Sequence, residues 1–130
     1  MESNRISIVV LSDKREHLQM AAMVASVGAV SGSDVLVFLS MNALGYFVKG
    51  ASRRAPPEGP MGELMEKKNV MAFQELFANA VDLGGAKVHP CSMAIDVLGI
   101  KEGELEEFVG EPMGLTQFLD IAATGQVLSF

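Results

Sequence analysis

Ile6-Ser7-Ile8-Val9-Val10-Leu11 and Val35-Leu36-Val37-Phe38-Leu39 are the two runs on which the fold turns. Each is almost continuously apolar and rich in β-branched residues, the pattern of a parallel strand covered on both faces. Between them, Ser12-Asp13 offers a helix N-cap, with Glu16 three residues beyond Asp13. Leu18, Ala21, Ala22, Ala25 and Ala29 then recur at helical spacing, with small side chains suited to close packing on a sheet. Gly32 ends that helix. Strand, helix and strand make a βαβ unit, whose crossover is expected to be right-handed.

Outward from this unit the alternation continues. Ser40 is expected to cap a short helix to Lys49, closed by Gly50. Residues 51–62 carry Pro56, Pro57, Pro60, Gly59 and the pair Arg53-Arg54, and are expected to be a mobile loop. A helix, in one piece or two, should run from about Gly62 or Asn69 to Leu83, and Gly84-Gly85 leads into a third strand, Ala86 to His89. A short helix follows to Leu98, then an acidic connector, a short fourth strand at Phe108-Val109-Gly110, a helix from Leu115 to Ala123, and a last strand from Gln126 to Phe130. The pattern predicts one α/β domain over residues 1–130: a doubly wound, mainly parallel five-stranded sheet with helices on both faces, a flavodoxin-like three-layer sandwich.

Composition narrows the function classes. With 49% apolar and 20% charged residues the chain is globular rather than disordered. Residues 1–81 hold eight acids and eight bases, whereas residues 82–130 hold eight acids against Lys87 and Lys101, so the whole net charge of −6 lies in the C-terminal part. Such a surface repels phosphate, and no basic patch with interleaved aromatics offsets it, so no nucleic-acid partner is expected. It fits either a solvated surface or a basic protein partner. Leu18 to Val30 is too short to cross a bilayer, and the N-terminus shows no charged-then-apolar signal pattern. No membrane association is expected, and the cytoplasm is the expected compartment.

Cys91 is the single cysteine, so an intramolecular disulfide is excluded. It lies where the third strand should break into a helix, at the carboxyl edge of the sheet, where ligands of open α/β folds gather. Ser12, Asp13, Ser40 and Asn42 should share that rim. At a helix N-terminus, free backbone amides and the helix dipole favour thiolate over thiol. The amides from Met93 to Ile95 are placed to hold an anion bonded to the sulfur. A buried, inert cysteine is the plain alternative.

The run Cys91-Ser92-Met93-Ala94-Ile95-Asp96-Val97-Leu98-Gly99-Ile100 resembles the cysteine motif of the DsrE/DsrF-like family, small α/β proteins related to sulfur-relay subunits. The likeness extends to the opening strand and alanine-rich helix, Phe38 to Gly50, the Met61-Gly62 region and Leu115 to Ala123. The resemblance implies a sulfur carrier or sulfurtransferase. Cys91 would accept a sulfane sulfur or a thiosulfonate group and pass it to a partner thiol, such as that of a TusA-like or rhodanese-like protein. It also implies a homo-oligomer, a trimer, tetramer or hexamer. His89, Ser92, Met93 and Asp96 are the supporting candidates, His89 either bonded to nearby backbone or raising the thiolate fraction of Cys91, and Asp96 either in proton transfer or bonded to local backbone. With one cysteine, a two-cysteine mechanism within a subunit is ruled out.

Rival readings are weighed on the same residues. His89, Cys91, His17 and Asp96 are metal-ligand types, but without a Cys-x-x-Cys pair no metal is expected. No glycine-rich phosphate loop follows the first strand, so no nucleotide, flavin or other cofactor is expected. Arg53-Arg54 fits either a small-anion contact, thiosulfate for example, or a solvated pair. Most of the nine methionines are expected to fill core gaps, with several lining a pocket around Cys91. The last alternative is a non-catalytic oligomeric binding or assembly subunit in which Cys91 is structural.

Overall fold

The structure is a computed structural model and describes residues 4–50 and 54–130. Four strands, β1 (Arg5–Val10), β2 (Asp34–Leu39), β3 (Lys87–Pro90) and β4 (Gln126–Ser129), form one parallel sheet in the order β3-β2-β1-β4. Among the described residues five α-helices accompany them: α1 (Arg15–Val30), α2 (Pro60–Lys67), α3 (Phe73–Gly84), α4 (Ser92–Leu98) and α5 (Leu115–Ile121). A 3-10 helix, Met41–Phe47, follows β2 where a short helix was expected, with Ser40 as its N-cap residue but no side-chain cap bond.

The pleat shows that both faces are covered. A Cβ built on Gly28 of α1 would meet Ile6 Cδ1 at 3.2 Å and Val35 Cγ2 at 3.3 Å, so these strand residues face α1. Phe38 is three residues past Val35 and therefore points to the opposite face. There its ring stacks on Phe118 of α5, centroid to centroid 4.8 Å. The strands advance from β1 through β2 to β3, after which the chain returns to the far side of β1. Right-handed crossovers require that return to cross the other face, where α5 is found. The winding is double, in keeping with a flavodoxin-like arrangement.

The sheet has four strands rather than five. The stretch expected as a strand at Phe108-Val109-Gly110 does run beside β3, but bridges it only at Val88–Val109, with a second isolated bridge, Cys91–Met113, just beyond both. The Gly110 amide donates to the Val88 carbonyl at 2.7 Å and the Met113 amide to the Pro90 carbonyl at 2.9 Å. Pro112 lies between them and has no amide to donate, which breaks the ladder.

The core runs along the sheet from Ile8, Val10, Val37 and Leu39 to Leu18, Ala21, Ala22 and Ala25 of α1, all without solvent exposure. The alanine face brings α1 against α3. Gly84 sits at that crossing, where an added Cβ would lie 2.4 Å from Ala29 Cβ. The helix after residue 59 is in two pieces, with Gly85 in the left-handed conformation (φ 73°) ending α3.

Two local expectations are corrected. Glu16 does not close a capping box with Asp13; Lys14 is the N-cap of α1 and has no side-chain cap. The Glu16 carboxylate instead accepts the amides of Glu58 (2.8 Å), Gly59 (2.8 Å) and Gly62 (3.1 Å), so it caps α2 across 46 residues of chain. The expected loop is also shorter, since Pro60 begins α2 at a position where a missing amide costs nothing. Its described part is tied down: Ala55 is buried and the Pro56 carbonyl accepts the Arg15 amide at 2.9 Å. Ala51, Ser52 and Arg53 lie outside the described residues.

Candidate functional site

Cys91 occupies the junction between β3 and α4, as the N-cap residue of that helix. The register places Val10, Leu39 and Pro90 side by side, so the next residues of each strand form a row along the carboxyl edge. The Ser40 amide donates to the Val10 carbonyl at 3.0 Å, and the Cys91 amide to the Leu39 carbonyl at 2.8 Å. On its other side the Ser92 amide donates to Met113 at 3.0 Å. Backbone on two sides thus clamps the cysteine, and Met113 beside it is buried.

The thiol is free and its residue is only 6% exposed. No side-chain hydrogen bond of Cys91 occurs among the described residues. Of the three amides expected to face an anion on the sulfur, Ile95 is committed to the Cys91 carbonyl at 3.0 Å. Those of Met93 and Ala94 make no hydrogen bond among the described residues. Gly99 in the left-handed conformation (φ 69°) stops α4 after seven residues.

The supporting residues divide. His89 does not bond to Cys91. Its ring Nδ1 lies 2.8 Å from the Glu111 carbonyl, and because a carbonyl only accepts, Nδ1 carries the proton of that bond. His89 therefore ties β3 to the 109–113 segment that flanks Cys91. Asp96 is exposed, and its carboxylate makes neither the local backbone bond nor an ion pair among the described residues. Ser92 is half-buried and Met93 exposed, both in the first turn of α4.

The expected rim is only partly assembled. Ser40, buried, is on the strand next to Cys91. Ser12 and Asp13 are one strand farther, about 10 Å away at two strand spacings. There the Ser12 hydroxyl accepts the Lys14 amide at 3.0 Å and the Asp13 carbonyl accepts the Tyr46 hydroxyl at 3.4 Å. Asn42 is exposed on the 3-10 helix. Met41, just after Ser40, has a φ of 52°, a left-handed conformation rarely adopted by a side-chain-bearing residue. Backbone strain of this kind is seen at functional sites, and here it borders the cysteine.

The metal reading does not assemble. His17 pairs with Glu58 at 2.7 Å, away from His89, and no group of three or more His, Cys, Asp or Glu converges among the described residues. The methionines also depart from expectation: Met20, Met23, Met41, Met61, Met71 and Met93 are exposed, and Met113 alone of the described methionines belongs to the buried core. Met20, Met23, Met61 and Met93 lie on exposed sides of α-helices, Met41 on the 3-10 helix and Met71 in the connector before α3. Val27, Val30, Val97, Leu115 and Leu119 extend those apolar exteriors on α1, α4 and α5. No helix of the described residues is long and apolar enough to cross a membrane.

Met113 is the methionine that does fill the core, as expected, but the sequence reading missed its pairing with Cys91 and a cleft that Pro90 and Ile95 line without Cys91 itself. That cleft, about 610 Å³, is lined by Pro90, Ile95, Ile100, Leu105 and Val109, with Glu102, Glu106 and Glu111 among its polar residues. No local signal could have found either, because both depend on the 101–113 segment returning to β3.

Comparisons with known proteins agree with this architecture. The ychN protein of E. coli matches over 100% of both chains, with a TM-score of 0.70 and 19% identity. MTH1491 of Methanobacterium thermoautotrophicum, a protein of unknown function, matches over 95% of this chain and 97% of its own, with a TM-score of 0.63 and 9% identity. At those identities the likeness shows the fold. No curated protein matches the chain. The model of the DsrE/DsrF/DrsH-like family matches residues 57–130, more than half of the chain and the part that holds Cys91. This chain belongs to the DsrE/DsrF/DrsH-like family, which is linked to sulfur relay.

Proposed function

We propose that this protein carries sulfur on Cys91 and transfers it to a partner thiol. The observation that carries the reading is the placement of a lone cysteine at a strand-to-helix junction on the carboxyl edge of the parallel sheet. The Cys91 thiolate attacks the sulfane sulfur of a donor; the Cys S–S bond forms, the donor S–S bond breaks, and the donor leaves as its thiolate. With tetrathionate the same attack leaves a thiosulfonate group on Cys91 and releases thiosulfate. A partner thiolate then takes the outer sulfur and returns the Cys91 thiolate. The thiol of a TusA-like or rhodanese-like protein fits that role, in the cytoplasm, where reductant keeps free thiols available. The exposed apolar sides of α1, α4 and α5 support a homo-oligomer.

The low exposure of Cys91 favours a second reading, a non-catalytic assembly subunit with a structural thiol. Intact mass of the reduced native protein after polysulfide, and separately after tetrathionate, distinguishes the two. A gain reversed by reductant and absent from Cys91→Ser supports carriage and names the cargo. A native protein that stays unmodified but reacts once denatured leaves Cys91 a packing residue.

A further inference from the structure

A second cleft, about 390 Å³, opens between the first turn of α1, helix α2 and the start of α3. It is independent of Cys91, which does not line it. Its polar side is set by Arg15 and Arg54, which share a single carboxylate, Glu66, at 3.1 and 2.9 Å. Two guanidiniums against one carboxylate leave a positive charge at the wall.

The Arg15 side chain is only 14% exposed, and of its guanidinium nitrogens Nη1 alone is used, towards Glu66 and the Gly62 carbonyl at 2.8 Å. The Nε and Nη2 edge, which grips a carboxylate with two parallel bonds, has no partner among the described residues. Gln19, 8% exposed, also lines the cleft. Its Nε2 donates to the Met71 carbonyl at 3.1 Å, while its Oε1 accepts nothing among the described residues. Gln19 Oε1 is not among the buried atoms left without a partner, so water in the cleft reaches it and a ligand donor can take that water's place. Met65, Met71 and Phe73 provide an apolar wall, and Phe73 and Gln74 open a helix whose first turn has no side-chain cap.

We infer that this cleft binds a small organic acid: a carboxylate on the Arg15 edge with Arg54 beside it, an apolar body against Met65, Met71 and Phe73, and a hydrogen-bond donor reaching Gln19 Oε1. A wholly polar oxyanion such as thiosulfate uses the charge and forfeits the rest. Glu66 is the internal competitor that the carboxylate displaces from the Arg15 and Arg54 pair.

Indole-3-acetate combines those three features, and its uncharged amide is the matched control. Titration of each into the native protein, followed by the amide resonances of Gln19, Phe73 and Gln74, tests the inference. The acid is expected to shift these resonances saturably at micromolar to millimolar concentration, at least fivefold more tightly than the amide or thiosulfate. Arg54→Gln, at a side chain 77% exposed and so harmless to folding, should weaken the acid about fivefold, and Arg15→Lys, which keeps charge but loses the fork, about tenfold. Equal binding of acid and amide, equal binding of thiosulfate, indifference to both substitutions, or no shift at millimolar acid would each overturn the proposal and leave Arg15–Glu66–Arg54 a latch on α2.

Discussion

Gly84→Ala should destabilise the protein, although replacing a helical glycine by alanine usually does the reverse. The new Cβ would stand 2.4 Å from Ala29 Cβ, 2.8 Å from the Ala29 carbonyl carbon and 3.1 Å from the Val30 nitrogen. Carbon atoms pack at about 3.5–4.0 Å, so α1 and α3 must separate by roughly 1 Å. Two of the three obstructing atoms are backbone, and no rotamer change moves them away. Overpacking of this kind costs about 1–3 kcal/mol. At the last residue of α3 the helix-propensity gain offsets less than the roughly 1 kcal/mol of an interior position. The net expectation is a loss of about 1–2 kcal/mol, or a fall in Tm of roughly 3–8 °C for a domain of this size. Gly28→Ala is the control, because its Cβ would meet only the side-chain tips of Ile6 and Val35, at 3.2 and 3.3 Å, in the middle of α1. It should be neutral within about 0.5 kcal/mol. Urea unfolding with an unchanged m-value reads both. A Gly84→Ala protein as stable as the parent would refute the claim that close approach of α1 and α3 explains that glycine.

Other expectations follow from single contacts. The Glu58 amide, with those of Gly59 and Gly62, holds the Glu16 carboxyl down at about 2 from 4.5. Its stabilising contribution is therefore full above pH 4.5 and is lost as pH falls towards 2; Glu16→Gln should abolish that acid dependence, and a Glu16 carboxyl that titrates near 4.5 by NMR would contradict the cap. Phe47 is fully buried among Phe77, Phe73 and Phe108, at 5.5, 6.0 and 6.0 Å, so Phe47→Ala should cost about 3–5 kcal/mol in chemical denaturation, and a loss under about 1 kcal/mol would mean the cluster is not packed as described. His89→Ala removes the bond to Glu111 and should loosen the 109–113 segment, at about 1 kcal/mol; alkylation of Cys91 in the native protein should then quicken, and an unchanged rate counts against His89 as the tie. Under mild peroxide Met113 should oxidise after Met61 and Met93 by peptide mass analysis, and equal rates would place Met113 outside the core.

Local sequence determined what is driven by local physics. The runs Ile6–Leu11 and Val35–Leu39 could only be strands covered on both faces, because no amphipathic alternation is present. The alanine spacing from Leu18 to Ala29 fixed which side of α1 meets its neighbours. Glycine and proline marked the ends, and Cys91 was legible as the residue between strand and helix because Pro90 and the glycine at 99 bracket a single short helix. The family motif lay in that same stretch. Everything that depends on chain returning from a distance was decided by tertiary structure. Glu16 looked like half of a local capping box, yet amides more than 40 residues on compete better for its carboxylate. Val109 has strand propensity, but Pro112 denies the edge of β3 a continuous ladder. His89 faces the Glu111 carbonyl rather than the thiol, and the clamp of Cys91 between Leu39 and Met113 is a matter of register that composition does not encode. A hydrophobic pattern specifies which face of an element is buried; only the packed chain specifies which distant donor, acceptor or side chain meets it there.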